Sequence, residues 1–387
     1  MLSMRMIKEI KDNMRICVSC ASGCEAVLKR ELYKLGYGDL PALYGRFYFD
    51  GDIEDIAKCN LFLRTANRVY IELANFKASN FDELYDGVSE INWSAYTSIN
   101  GKFDVVAKCV DSNIHAISVT QSITKKAIVN KLSKGGVLLE NGERYRIEVA
   151  IMKDRASVLL DSSGSGLHRR GYRALVGDAP LKETLAAAII NLTVWNYTRP
   201  FADLFCGSGT FAIEAAMKAQ QIPPGIMRDF DFLHWSKFDR KVFDGIKSTA
   251  MQSIKDNPIR LSAFDIDERQ LSLARKHAKI AGVDQYIHFQ KADMREFSSA
   301  KKYGVIITNP PYGERLSERK EIEGLMRDYG KVFAKLDDWS AYTLTPVTDF
   351  ERLFGKKADK KRKIYNGPIE CCLYSMLGNP PPKPKND

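Results

Sequence analysis

A strand, a glycine corner and a helix follow one another directly in FADLFCGSGTFAIEAA, residues 201–216. Few folds can use that unit. Its apolar start reads as a short strand. Gly207-Ser208-Gly209 then turns the chain, because glycine takes left-handed backbone at no steric cost and lets a ligand approach the main chain. The helix that follows aims unpaired N–H groups at that corner. Strands and helices alternate through the rest of the chain, which predicts a doubly wound, mainly parallel sheet. Ligands of such sheets bind beyond the carboxyl ends of the strands, and Asp203 stands at one.

The spacing from Asp203 to Gly207 and Gly209 lacks the third glycine of the dinucleotide fingerprint, and the Gly-Lys-Ser/Thr of a P-loop. Two later acids narrow the ligand. SAFDID places Asp265 and Ile266 after a strand, where a carboxylate can accept from ribose hydroxyls. FQKADM places Asp293 and Met294 after the next, where a carboxylate can accept from an adenine amino group. These features on three successive strands suit an adenosine cofactor with no pyrophosphate. The expected cofactor positions are Asp203, Phe205, Cys206, Gly207, Ser208, Gly209, Thr210, Asp265, Ile266, Asp293 and Met294, with Asn309 beside them.

The apolar run Val305-Ile306-Ile307 reads as the fourth strand, and it stops at Asn309-Pro310-Pro311-Tyr312. Neither proline supplies an N–H, and each restricts the residue before it. The Asn309 side-chain oxygen and the Pro310 carbonyl are then two acceptors at a fixed angle, matched to an exocyclic NH₂ with two donors. Tyr312 offers a ring on which a flipped-out base could stack. Asn309, Pro310, Pro311 and Tyr312 are the expected catalytic residues of an enzyme that N-methylates a planar amine. A cytosine-C5 methylase would need a cysteine nucleophile, and Cys206 has no general base in view.

The N-terminal part reads differently. Arg15–Ser19 is a strand, followed by a helix with Ala26, Leu28, Leu32 and Leu35 at helical spacing and Gly36 closing it. Residues 45–49 are a strand and Asp52–Phe62 a helix, a rhythm that suits a small α+β sandwich. Further on, Phe103–Ala107 is a strand. Ser118–Lys134 is a helix expected to turn Val119, Ile123, Ala127 and Ile128 inward and to carry Lys125 and Lys126 elsewhere. Tyr145–Ile151 and Ala156–Leu160 form a hairpin across Lys153-Asp154-Arg155. DSSGSG reads as a linker. His168, Arg169, Arg170, Tyr172 and Arg173 after it have two readings, hinge residues that pack domains together or a basic, aromatic strip facing RNA. A long helix begins after Pro180, and Asn366-Gly367 signals a late hairpin.

A chain of 387 residues exceeds one ordinary core and implies two or three domains. The net charge of +10 is spread through it, +3 over residues 1–180 and +7 beyond, which favours a polyanionic partner. The densest basic run, Lys356 to Lys363, reads as a solvated loop or as a phosphate contact. No apolar run approaches a membrane span, and the first residues lack a signal peptide's apolar core. Eight scattered cysteines fit reduced thiols in a cytoplasmic enzyme. Cys17, Cys20 and Cys24 have no fourth ligand at a recognisable spacing, so no metal is expected. Cys371 and Cys372 fall in an apolar strand and read as core.

The amino-methylating corner resembles the (D/N/S)PP(Y/F) signature of class I methyltransferases that use S-adenosyl-L-methionine. LLDSSGSGLHRRGYR, APLKETLAAAII, DLFCGSGTFAIEAA, IPPGIMRDFDFLHW, FDID, AGV, TNPPYGERL and KIYNGPIECCLY together make the whole chain similar to the THUMP-domain RNA methylases. It is most like the bacterial group with the large-subunit rRNA guanine-N2 methylases. The resemblance implies a ferredoxin-like domain over residues 1–65 and an RNA-binding THUMP domain over 66–163. A linker (164–180) and a Rossmann-like class I methyltransferase over 181–387 with a mostly parallel seven-stranded sheet follow. It implies S-adenosyl-L-homocysteine as product and rRNA as partner, with tRNA as the alternative; a monomer is the expectation apart from it. The candidate RNA-binding positions, read from the residues themselves, are Lys125, Lys126, His168, Arg169, Arg170, Tyr172 and Arg173. His277 stands where relatives usually carry Asn. No second methylase domain follows, so one methylation activity is expected. A DNA adenine-N6 methylase shares the catalytic corner but not the RNA-type module. An assembly factor with an idle methylase fold would bind cofactor without transferring its methyl group.

Overall fold

A computed structural model describes residues 14–38, 40–134, 136–173, 181–313 and 316–382. The chain divides into two compact units, neither contiguous in sequence. One runs through Cys20, resumes at Glu31–Leu167 and takes in Arg228–Ala250; the other is Ala21–Arg30, His168–Met227 and the chain from Met251 onward. The contiguous division expected from the sequence is therefore crossed in both directions.

The first unit contains β1 (Met14–Cys20), β2 (Arg46–Gly51), β3 (Ala66–Lys77), β4 (Lys102–Val110), β5 (Arg144–Met152) and β6 (Arg155–Asp161). Among the described residues these form one sheet in the order β2-β1-β3-β6-β5-β4, with only β4 and β5 parallel. Helices α1 (Glu25–Lys34) and α2 (Ile53–Phe62) punctuate its first half in sequence; α3 (Phe81–Glu90), α4 (Trp93–Tyr96) and α5 (Ile117–Ser133) punctuate its second. Asp52 opens α2 with a capping box, its side chain accepting the Asp55 N–H while Asp55 returns the bond. The strand β3 pairs with β1 along one edge and with β6 along the other, so the two expected modules share a sheet.

In two helices the expected inward face holds in part: Leu28 and Leu32, and Ala127 and Ile128, are buried, while other positions differ. In α1, Val27 is buried and Ala26 exposed. In α5 the inward residues are Thr120, Thr124, Ala127, Ile128 and Leu132, and Val119 is 40% exposed. Threonine can take the core position because its hydroxyl returns to its own helix, Thr120 Oγ1 donating to the Ala116 carbonyl at 3.0 Å.

The expected linker begins inside the core. Asp161, Ser162 and Ser163 are fully buried. Asn60 Nδ2 donates to Ser162 Oγ at 2.9 Å, and Ser163 Oγ donates to Asn60 Oδ1 at 2.7 Å. Arg228 then donates to the carbonyls of Ser165 (2.7 Å) and Gly166 (2.9 Å). Trp235 lies 5.5 Å from the Tyr145 ring and donates its Nε1–H to the Arg144 carbonyl at 3.0 Å. A segment two-thirds of the way along the chain thus completes the first unit's core.

The second unit holds β7 (Phe201–Asp203), β8 (Leu261–Asp265), β9 (Ile287–Lys291), β10 (Val305–Thr308), β11 (Ser340–Thr345), β12 (Lys360–Asn366) and β13 (Ile369–Met376). Among the described residues their order is β12-β13-β11-β10-β7-β8-β9. The strands β7 to β11 run parallel, whereas β13 is antiparallel to both its neighbours, so the sheet is mixed. The helices α6 (Glu183–Leu192), α7 (Thr210–Ala219), α8 (Arg240–Gln252), α9 (Glu268–Ile280), α10 (Leu316–Phe333) and α11 (Phe350–Phe354) are interspersed with these strands in sequence, α8 belonging almost wholly to the first unit. Pro180, expected to open α6, lies outside the described residues. All four residues of β10 are buried, as a central parallel strand requires.

Two further expectations shift. The late hairpin turns on Gly367-Pro368, since Asn366 pairs with Ile369. An Asn-Gly turn needs positive φ at both positions and would put Pro368 inside the next strand, where it has no N–H to give. The basic run is no simple loop either: Lys360–Lys363 belong to β12, at the sheet edge.

Candidate active site

Strand order reverses between β7 and β10. Neighbouring strands there leave in opposite directions, which opens a crevice at their carboxyl ends. The glycine corner follows β7 and the Asn-Pro-Pro-Tyr corner follows β10, so one crevice receives both.

Asp203 joins them. Its side chain is buried and accepts the Thr308 hydroxyl at 2.7 Å and the Phe205 N–H at 3.2 Å. One oxygen therefore braces the ends of both strands. Burial pushes its pKa up to about 7, with a further rise from Asp265, against those two hydrogen bonds. Cys206 and Met294 are buried as well, and Phe205 packs its ring against Tyr329. The side chains of Asp203, Cys206 and Met294 support the crevice without lining it.

Other expected positions are more open. Gly207 has φ +49 and Gly209 φ +84. A methyl group on Gly207 would meet open space; one on Gly209 would press Ala274 and Phe289 at 3.0–3.4 Å. Asp265 accepts the Gly207 N–H at 2.8 Å and the Asp267 N–H at 2.9 Å, so it shapes the corner and keeps a second lone pair on each oxygen for a ligand. Ile266 is 67% exposed beside it. Asp293 caps the turn after β9, accepting the Arg295 N–H at 2.9 Å and pairing with its guanidinium at 2.8 Å.

Residues that sequence reasoning assigned elsewhere, or passed over, stand behind the corner. Arg173 donates to the Thr210 hydroxyl and pairs with buried Glu183 at 3.3 Å. His277 is buried, with Nδ1 3.3 Å from the Ser208 carbonyl, and burial holds its pKa down. Arg173 Nε, Glu183 Oε2 and His277 Nε2 are buried and have no hydrogen-bond partner among the described residues. Unused donors and acceptors behind an open glycine corner, with two carboxylates at its rim, fit a polar adenosyl amino acid.

At the second corner Pro310 is buried and Pro311 exposed. The Tyr312 hydroxyl donates to Asn309 Oδ1 at 2.7 Å, and itself accepts from Asn366 Nδ2 at 3.3 Å and Cys371 Sγ at 3.6 Å. The acceptor expected to face an amine is thus held by the neighbouring tyrosine. Burial pushes the Tyr312 phenol well up, so it is a donor and no base. Burial, then Asp203 and Asp265, likewise push the Cys206 thiol up, which excludes a resting thiolate there. A cleft of about 240 Å³ opens against Tyr312 and Gly313, walled by Ile322, Val347, Glu323 and Asp349.

Two of the expected RNA-binding side chains turn inward. Arg170 and Tyr172 are buried on Glu214, at 3.3 Å and 3.2 Å. A buried guanidinium needs such a partner, and these two residues pack the core while Arg169 stays exposed and His168 half-buried. Lys125 pairs with Glu140 at 2.8 Å; Lys126 is exposed.

Comparison with known proteins matches residues 15–70 to the RlmL ferredoxin-like domain, 78–161 to the THUMP domain and 170–375 to the RMKL-like methyltransferase domain. The chain is 42% identical over 369 residues to YpsC of Bacillus subtilis, provisionally named an RNA methyltransferase, covering 94% of this chain and 96% of that one. It is 33% identical over 375 residues to the ribosomal RNA large subunit methyltransferase K/L of Psychromonas ingrahamii, covering 94% of this chain and 50% of that protein. A crystal structure of a provisional methyltransferase complexed with S-adenosyl-L-homocysteine superposes with a TM-score of 0.90 at 42% identity, over 96% of this chain and all of that one. A Listeria monocytogenes protein named from its sequence as an N6-adenine-specific DNA methylase superposes at 0.89 with 40% identity, over 95% and 97%.

Proposed function

The chain belongs to the RMKL-like, THUMP-bearing RNA methyltransferases that use S-adenosyl-L-methionine, and from that premise we propose that it methylates the exocyclic N2 of a guanine in large-subunit ribosomal RNA. The meeting of the two corners at one strand-order reversal carries this reading. Gly207, Gly209, Asp265 and Asp293 would hold the cofactor, with Arg173, Glu183 and His277 behind them. S-adenosyl-L-methionine supplies a methyl group on a sulfonium, already a good leaving group, so neither a covalent enzyme intermediate nor a metal is needed.

Asn309 Oδ1 and the Pro310 carbonyl accept the two N–H groups of the amine and fix its lone pair in line, and alignment is what such a step needs. The arriving base displaces the Tyr312 hydroxyl from Asn309 and stacks on the ring. The product's extra proton leaves to solvent. The cleft beside Tyr312 holds acceptors, Glu323 and Asp349, that suit the N1 hydrogen of guanine, and a donor, Arg319, beside them; the choice of guanine over adenine rests on the family resemblance. Ribosomal RNA is supported by the name of the Psychromonas relative, of which this chain spans half. The enzyme is read as a cytoplasmic monomer; among the described residues no helix is long and apolar enough to cross a membrane.

Nucleoside mass spectrometry on separated large-subunit rRNA and tRNA, from a strain lacking the gene, tests this. N2-methylguanosine should fall in the rRNA alone. Loss confined to tRNA would transfer the substrate to that pool, and unchanged N2-methylguanosine in both would overturn the reading.

A further inference from the structure

We propose that the edge strand β12 is the track along which the backbone of the substrate RNA reaches the active site. The proposal rests on the reading that the target base enters at Asn309–Tyr312. Lys360, Lys361, Arg362 and Lys363 are consecutive and exposed. Among the described residues the strand pairs in the sheet with β13 alone, and the Gly23 turn packs against it only at its inner end, by Lys363 and Ile364. Lys356 and Lys357 precede it, which puts six basic residues against one acidic residue, Asp359, within residues 356–363. That acid is engaged by the chain just past β13, accepting the Leu377 N–H at 2.7 Å.

The strand leads to the chemistry. After the four cations, Ile364 is fully buried and anchors it, and Asn366 donates to the Tyr312 hydroxyl. At about 3.3 Å per residue, the basic run begins roughly 20 Å from that contact. A polyanion lying on it would end at the ring proposed to stack the base. Lys361 pairs with Glu351 at 2.9 Å and Lys363 with Glu370 at 2.7 Å. Exposed pairs of this kind are weak and exchange readily for phosphate. Arg362 bonds a neutral group, the Gly23 carbonyl at 3.1 Å. A run of exposed side chains of one sign at the end of a sheet complements a phosphate backbone.

Lysines also guard sheet edges against pairing with other chains, and the test separates the two roles. Lys360, Lys361, Arg362 and Lys363 are changed to Gln together in the full chain, with Lys360→Gln/Arg362→Gln as a milder variant that leaves both ion pairs. Binding is measured with a fluorescein-labelled, mixed-sequence single-stranded RNA, and methyl transfer with deproteinised rRNA from the deletion strain. The quadruple variant should bind the labelled RNA roughly tenfold more weakly at 0.1 M salt, and its salt slope should fall by about 2 to 3. The KM for rRNA should rise while kcat and cofactor affinity hold; the double variant should show about half the effect on a logarithmic scale. Wild-type affinity and salt slope in both variants would overturn the track, and added self-association would then make the run an edge guard. If the wild-type chain methylates no rRNA yet the variants still lose RNA affinity, the substrate reading fails and the track stands.

Discussion

Asn309 Oδ1 can serve an amine only if the Tyr312 hydroxyl lets it go. The two residues are therefore competitors at rest and collaborators once a base is bound. Removing the asparagine oxygen by Asn309→Ala should lower kcat by about two orders of magnitude or more, since alignment is lost, and leave cofactor affinity unchanged by calorimetry. Tyr312→Phe keeps the ring and frees the acceptor, so turnover should stay within about threefold of wild type. Tyr312→Ala removes a stacking face worth roughly 1–3 kcal/mol, or about 5- to 150-fold. A phenylalanine variant as poor as the alanine variant would mean that the hydroxyl, not the ring, does the work. The proposed catalytic quartet stands out in the sequence because two prolines and an aromatic ring after an apolar run have little structural use. The Tyr312–Asn309 bond does not, because spacing says nothing about which neighbour a side chain chooses.

Strand ends show the same division between what a pattern reveals and what packing decides. The order of β7, β8, β9 and β10 and the acid or corner after each could be read from apolar runs and turn residues. What escaped is that Asp203 faces inward, tying β7 to β10 through Thr308. A carboxyl whose folded pKa is raised to about 7 keeps its proton better in the folded than in the unfolded chain, where it titrates near 4. Its contribution to stability is whole below that lower value and is lost as pH rises through about 7. Three units correspond to roughly 4 kcal/mol at most. Asn can accept the Phe205 N–H and, with the threonine hydroxyl turned, keep the Thr308 contact. Asp203→Asn should therefore melt higher than wild type at pH 8 and lose that advantage at pH 4 in paired thermal scans. An advantage that grew toward low pH would reverse the sign and refute the assignment. That Thr120 rather than Val119 faces inward in α5 has a related cause: Thr120 hides its polarity in its own helix, so hydropathy undercounts it as a core residue.

The order of domains in the chain was legible from motifs; the exchange of segments between units was not. A boundary drawn along the sequence assumes that neighbours in the chain pack together, and the aromatics of Arg228–Ala250 look like any others in a methyltransferase. Phe230, Phe232 and Phe243 cluster within 6 Å centroid distances of one another, and Trp235 covers Tyr145. Arg228 and Trp235 also satisfy carbonyls of Ser165, Gly166 and Arg144. A fragment of residues 1–180 would keep all six strands of the first sheet and lose this cover. Uncovering one large aromatic position costs about 3–5 kcal/mol in a core, a large part of the 5–15 kcal/mol that holds a domain together. The fragment should melt early and broadly by circular dichroism, and a peptide of residues 228–250 added in trans should raise its midpoint in a dose-dependent way, because a ligand of the folded state alone stabilises it by mass action. The same peptide with Trp235→Ala should do less. A fragment that melts sharply at the same temperature with or without the peptide would show that the first unit closes its core without help, and the linear boundary at residue 180 would then stand.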